Sequence, residues 1–225
     1  MRGRTRFPIV ALLSALCASS IAPARSQTPV RAALADDKGK FEVSVDGKVV
    51  ATEEFSVAHE GGGWVARGST EFHTASNGTG HITGELHLNA AGAPVRYQWV
   101  LAAEKKITST TTFDGNQAKM STDLGQASPL EQDFTFPSQV VILDNNLYDQ
   151  YGVLAHLYNW SARGPQTFAV LIPQEHQPGS ITVEATGNQQ LRVHTSDIDV
   201  FVSVDSSHRV MRISVPASKA EIVRK

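Results

Sequence analysis

Histidines and carboxylates are the residues through which this chain could do chemistry, because its one cysteine, Cys17, lies in an N-terminal apolar stretch. His59-Glu60 opens like an H-E-x-x-H zinc helix, but Gly61-Gly62-Gly63 follows where the second histidine belongs. His81, Glu85 and His87 share one face of a strand, opposite Ile82, Leu86 and Leu88. Glu85 and His87 stand about 6.6 Å apart there, close enough to share a metal, whereas His81 is about 20 Å from His87. A third ligand would have to come from a neighbouring strand, for which His73 is the candidate. The simpler reading is the solvated face of an antiparallel sheet, and no metal is expected. Asp197-x-Asp199 is judged likewise, since Asp199 alternates with Ile198 and Val200 and has Arg192, His194, Arg209 and Arg212 as prospective ion-pair partners. There is no G-x-S-x-G elbow, no phosphate-binding glycine loop and no dinucleotide fingerprint. No catalytic residue and no cofactor is therefore assigned.

The aromatic set points elsewhere. Tyr97 and Trp99 share a strand face, and Tyr148, Tyr151, Tyr158 and Trp160 crowd one short stretch. Amphipathic rings suit a surface that is apolar in body and wet at one edge, such as a pocket mouth. Plain packing of a helix on a sheet uses the same residues. Leu147, Tyr151, Leu154 and Tyr158 are spaced 4, 3 and 4, the one clear helical stripe in the chain. It predicts a helix over 146–162, capped by Asp144, Asn145 or Asn146 and closed by Gly164-Pro165. Tyr97, Trp99, Leu147, Tyr151, Leu154 and Tyr158 are the candidate ligand-binding residues, with the helix as a lid over the sheet.

The elements that must position them are strands. Phe41, Val43 and Val45 alternate with Glu42, Ser44 and Asp46; Asp46-Gly47 then offers a type I′ turn, and Lys48–Val57 runs back. Strand pairs follow at 64–72 and 81–88, joined through Ser76-Asn77-Gly78, and at 107–113 and 117–124, joined through Asp114-Gly115. Val95, Tyr97, Trp99 and Leu101 mark another strand. After the helix, strands resume at 167–172, 180–185, 190–195, 198–204, 210–215 and 220–224. The expected fold is mainly β: a single curved antiparallel sheet, half-barrel or β-clam, of about ten strands with one helix covering its concave face. A closed barrel or a sandwich is the alternative.

Residues 1–26 read as a secretory signal peptide. Arg2, Arg4 and Arg6 precede an apolar run from Phe7 to Ala22, and small residues prepare cleavage near Ala24 or Ser26. Residues 27–39 read as a poorly ordered leader, and 40–225 as one domain. Four of the 20 basic residues and none of the 22 acidic ones lie in 1–26, so the remainder carries 16 against 22, a net charge of −6, and no cysteine. That charge gives no footprint for nucleic acid. The lack of thiols removes disulfides, thiol nucleophiles and iron–sulfur ligation. No stretch after residue 26 is long and apolar enough for a transmembrane helix. The expected location is periplasmic or extracellular.

Two motifs carry a resemblance. Phe41-x-Val-x-Val-x-Gly47-Lys-x-x-x-x-Glu-Glu-Phe55 resembles the opening hairpin of a family of exported bacterial proteins of unknown function, and Asp205-x-x-x-Arg209-Val-x-Arg212-x-x-Val215-Pro216 resembles their closing strands. The strand count and late helix are similar to the periplasmic β-clam carriers, the LolA/LolB-like lipoprotein-localisation proteins. The resemblance implies a periplasmic β-clam and no catalytic residues. The leading functional expectation is a non-enzymatic carrier of a hydrophobic or lipid-like ligand. The alternatives are a cell-envelope structural or interaction module with a filled core and an envelope protein as partner, then a cysteine-independent hydrolase.

Overall fold

The computed structural model describes residues 34–73, 78–195 and 197–225. The signal peptide read at 1–26, most of the leader and the Ser76-Asn77 turn lie outside these residues. Strand β1 (Asp37–Val45) pairs with β2 (Lys48–Glu60) through Asp46-Gly47, whose φ angles of 49° and 75° are those of a type I′ turn. Pairing thus begins three residues ahead of Lys40, inside the segment read as leader, and Leu34 is buried in the core. The meander continues through β3 (Gly63–His73), β4 (Thr79–Leu88), β5 (Pro94–Ala102), β6 (Lys106–Asp114), β7 (Gln117–Asp123) and β8 (Leu130–Thr135). The β6–β7 turn falls one residue later than Asp114-Gly115: Asp114 pairs with Gln117 across Gly115-Asn116, and Gly115 takes φ 59°.

The chain then crosses to the other end of the sheet. It forms β9 (Val140–Ile142), passes through helix α1 (Gln150–Leu157), and returns by β10 (Gln166–Ile172), β11 (Gln177–Ala185), β12 (Gln190–His194), β13 (Asp199–Val204), β14 (Val210–Val215) and β15 (Ala220–Arg224). All pairs are antiparallel except β9–β10, and β15 pairs with β1. The result is one open, curved sheet of 15 strands in the order β8 to β1, then β15 to β9, rather than about ten. Short strands in the middle of the chain, β8 and β9 above all, carry little alternation and account for part of the difference.

The parallel β9–β10 step explains where the helix sits. Parallel neighbours need a crossover over one face of the sheet, and residues 143–165 supply it. Their side chains reach both halves of the sheet. Leu147 meets β3 and β4, Tyr97 of β5 bonds Asp144, and Tyr158 Oη accepts the Ala185 N–H at the end of β11. A sheet that touches one short segment from both sides is curled around it.

The helix is shorter than the expected 146–162 because tertiary contacts claim its ends. Asn146 is left-handed at φ 62°, and its carbonyl accepts the Thr70 hydroxyl at 2.6 Å. The backbone N–H groups of Tyr148 and Asp149 turn to Glu53. Asp149 occupies the cap position without a side-chain capping bond, so Asp144, Asn145 and Asn146 are not the caps. At the far end Tyr158 is already extended, and the Gln166 side chain bonds both the N–H and the C=O of Asn159. The helix therefore ends well before Gly164-Pro165.

Candidate functional site

Glu53 is the residue that breaks the pattern of its strand. Ala51, Glu53, Phe55 and Val57 all point inward from β2, and Glu53 has no solvent exposure. An ionised carboxylate costs several kcal/mol to bury unless it is paired or hydrogen-bonded. Glu53 Oε2 accepts the Tyr148 N–H at 2.9 Å, and Oε1 accepts that of Asp149 at 3.3 Å. Two glycines make room for this. A Cβ on Gly68 of β3 would lie 2.6 Å from Glu53 Oε1, 2.7 Å from Asp149 Oδ1 and 2.9 Å from Leu147 Cδ2. On Gly84 of β4, which pairs with Gly68, it would lie 2.6 Å from Leu147 Cδ1 and 3.2 Å from Tyr97 Oη. The glycine pair is the seat on which 147–149 rests.

A second buried acid lies beside the first. The Tyr97 hydroxyl donates to Asp144 Oδ2 at 2.8 Å and accepts from Gln150 Nε2 at 3.2 Å. Asp144 Oδ1 accepts the N–H groups of Gln174 and Asn145 at 2.9 and 3.1 Å. Burial pushes Asp144 up to about 7, against the pull of its hydrogen bonds from Gln174 and Tyr97. Burial, then the charge of Asp149, holds Glu53 well above the usual carboxylate range, and burial pushes Asp149 up to about 6. These groups can hold protons at neutral pH. Glu53 is fully buried under the helix segment, and Asp149, 4% exposed, borders a small cavity with Gly152 and His156. Sequence reasoning passed over Glu53, although its place in the Ala51–Val57 row was the available signal.

The six residues chosen for ligand binding are all buried, at 6% exposure or less. Tyr97, Trp99 and Leu147 share one apolar cluster, while Tyr151, Leu154 and Tyr158 belong to another against β1, β2 and β10–β15. The helical stripe is therefore divided between two clusters. Val95, on the same strand as Tyr97 and Trp99, is 47% exposed, next to a register shift in the β4–β5 ladder. A cavity of about 10 Å³ lies against Gly152, Val153 and His156, bordered by Phe41, Phe55 and Val57. It has room for about one water, and none of the six lines it. Trp99 Nε1 and Thr111 Oγ1, neighbours in the interior, find no hydrogen-bond partner among the described residues.

The outer face carries His81 and His87. Glu85 Oε1 meets His87 Nε2 at 2.6 Å and its Oε2 accepts from Arg67 at 2.9 Å, while Arg67 also engages Glu60 at 2.6 Å. Asp199 is taken by Arg192 and His194. These ion pairs occupy the oxygens a cation would need, and no metal-type cluster of three occurs among the described residues. His81 Nε2 lies 2.8 Å from Ser69 Oγ, a nucleophile–base contact that sequence reasoning did not identify. Ser69 sits mid-strand, between β2 and β4, where backbone N–H groups serve the ladder rather than an oxyanion. The backs of Gly68 and Gly84 form the floor of an open trough of about 520 Å³, bordered by Phe55, Arg67, Ser69, Thr83, Gln98 and Val100.

No protein-family model matches the chain, and no curated protein sequence matches it. Among solved structures it is similar to a β-barrel-like protein of a domain of unknown function, DUF1849, from Brucella abortus. The TM-score is 0.56 at 7% identity, covering 85% of this chain and 95% of that one. A DUF1089 family protein from Pseudomonas aeruginosa matches at TM-score 0.44 and 10% identity, over 90% of this chain and 97% of that one. The first likeness shows the fold: mainly β and β-barrel-like, shared with a domain of unknown function. No helix among the described residues is long and apolar enough to cross a membrane.

Proposed function

We propose that the chain is an exported, non-enzymatic module of the cell envelope that keeps its interior closed with its own residues 143–158 and meets its partner through its outer surface. The observation that carries this reading is the burial of Leu147, Tyr151, Leu154 and Tyr158 inside the curved sheet, where a carrier would hold its ligand. Export is supported by the three-part signal at 1–26 and the cysteine-free remainder. The non-enzymatic reading is supported by the burial of Glu53, Asp144 and Asp149 and by a Ser69–His81 contact on a strand whose backbone is paired on both sides.

One observation favours a second reading, the LolA/LolB-like carrier. Trp99 Nε1 and Thr111 Oγ1 are buried and without a partner among the described residues, and leaving such groups unpaired costs about 1–3 kcal/mol each. A lipid-like ligand with a hydrogen-bond acceptor in its head would satisfy them. Tyr97, Trp99, Leu147, Tyr151, Leu154 and Tyr158 would then line its site once the helix segment moved aside. Organic extraction of the protein purified from its own envelope fraction, followed by mass spectrometry, separates the readings. The filled module yields no amphipathic molecule in stoichiometric amount; one equivalent per chain overturns it in favour of the carrier. N-terminal sequencing of the same sample should begin at residue 25 or 27, and an intact Met1 would overturn export by signal cleavage.

A further inference from the structure

The carboxyl groups of Glu53 and Asp149 meet over a residue that has no side chain. Glu53 Oε1 and Asp149 Oδ1 both approach the point where a Gly68 Cβ would stand, at 2.6 and 2.7 Å from it. Asp149 Oδ1 is buried and has no hydrogen-bond donor among the described residues. Glu53 Oε2 is committed to the Tyr148 N–H, and the contact of Oε1 with the Asp149 N–H is the longer one. Two ionised carboxylates in this arrangement would repel at low dielectric, whereas one proton on Glu53 Oε1 supplies the missing donor to Asp149 Oδ1.

We propose that Glu53 and Asp149 share a single proton, and that this proton is the latch holding residues 144–157 on the glycine seat of the sheet. When the proton leaves to water, the pair becomes two facing anions, and the Tyr148 and Asp149 N–H groups cannot serve both. The Gln150 N–H favours the Asp149 anion, but the surroundings offer the pair no counter-charge. Helix α1 and its lead-in contribute Asp144, Tyr148, Tyr151 and His156, whose Nδ1 faces the Gly152 carbonyl. Strand β5 contributes Tyr97, and β1 contributes Asp37, which Arg224 of β15 engages at 2.6 Å. Strands β3 and β4 present Gly68, Thr70 and Gly84. No cation among the described residues neutralises the pair, and burial holds both acids above their ordinary values. The device is acid-locked and loosens as pH rises, and it operates whichever partner the protein takes.

Hydrogen–deuterium exchange of the full mature chain at pH 5 and pH 8, corrected for intrinsic exchange chemistry, tests the latch. Residues 144–157 should lose at least about tenfold more protection than β10–β15, the change that one pKa unit of proton linkage produces. In an Asp144→Asn background, which removes the other titrating acid of the segment, Glu53→Gln keeps a neutral donor towards Asp149 at every pH and should abolish that difference. Protection of 144–157 that parallels the strands in the wild type, or a difference that survives Glu53→Gln in the Asp144→Asn background, overturns the proposal. Should Glu53→Gln fail to fold, wild-type protein with ¹³C-labelled glutamate carboxyls decides. One glutamate resonance should remain at its acid position at pH 7, and its absence overturns the shared proton.

Discussion

At the scale of single residues, the interior acids set an unusual pH dependence. Asp144 and Asp149 have folded-state values raised to about 7 and about 6, above their ordinary 3.8, and Glu53 is raised as well. The native state therefore binds more protons than the unfolded chain above about pH 4. The stability these acids contribute is full below their unfolded values and is lost as pH rises through 6 and 7, at about 1 kcal/mol per pH unit for each group. The outer-face acids Glu60, Glu85, Asp199, Asp205 and Glu221 are lowered, chiefly by hydrogen bonds from their arginine or histidine partners, and their contribution is lost only as pH falls below the ordinary carboxylate range. The melting temperature should accordingly peak near pH 5 and fall towards pH 8. Asp144→Asn should cost about 1–3 kcal/mol at pH 5, by replacing an oxygen that accepts the Tyr97 hydroxyl. Its penalty should shrink at pH 8, where the wild type has lost part of its advantage. A melting temperature that rises steadily from pH 5 to pH 8 would contradict this assignment.

At the scale of elements, the glycine seat and the helix it receives make opposed predictions for the same kind of substitution. Gly68→Ala puts a methyl within 3 Å of two fixed carboxyl oxygens and a leucine methyl, so denaturant unfolding should show a loss of about 1–3 kcal/mol. Gly152→Ala, in α1 with nothing within 4 Å of its Cβ position, should gain about 0.5–1 kcal/mol from helix propensity and a less free unfolded chain. Leu154→Ala should cost about 2–5 kcal/mol, since Leu154 is 1% exposed within an apolar cluster. A loss below about 2 kcal/mol with ligand bound in the wild type would instead belong to a loosely packed carrier lining. The helix itself was legible from the 4-3-4 spacing. Its short length was not, because Thr70, Glu53 and Gln166 compete for its end groups from distant points in the chain.

At the scale of the molecule, β15 joins two meanders that are separate in sequence. It pairs with β1 from Phe41↔Arg224 to Val45↔Ala220. Arg224 bonds Asp37 through both terminal nitrogens, donates to the Lys38 carbonyl and lies 5.2 Å from the Phe55 ring centroid. Both partners of that ion pair are largely buried, at 13% and 12% side-chain exposure. Arg224→Ala should therefore cost about 3 kcal/mol by thermal or denaturant unfolding, far more than the 0–1 kcal/mol of an exposed pair such as Lys40–Glu54. Deleting residues 220–225 should replace the single unfolding transition by aggregation, because β1 and β14 would both become open edges. A truncated chain that melts cooperatively and stays monomeric would show that the two meanders do not depend on this seam.

What local chemistry dictates was legible along the chain. Asp46-Gly47 placed a hairpin because two positive φ angles suit that dipeptide, and the alternation at 210–215 and 220–224 placed strands whose inner faces are buried. The outward histidines followed from the same period of two. Which strand lies beside which, how many there are, and what fills the curve depended on contacts between residues far apart. Period two assigns Glu53 to the inner face but cannot say that Gly68, Asp149 and a helix N-terminus converge on it from β3 and the crossover. Tyr97 and Leu147 could be foreseen as inward-facing; that they pack on each other, leaving the interior occupied by protein, is a matter of three-dimensional volume that a linear pattern does not contain.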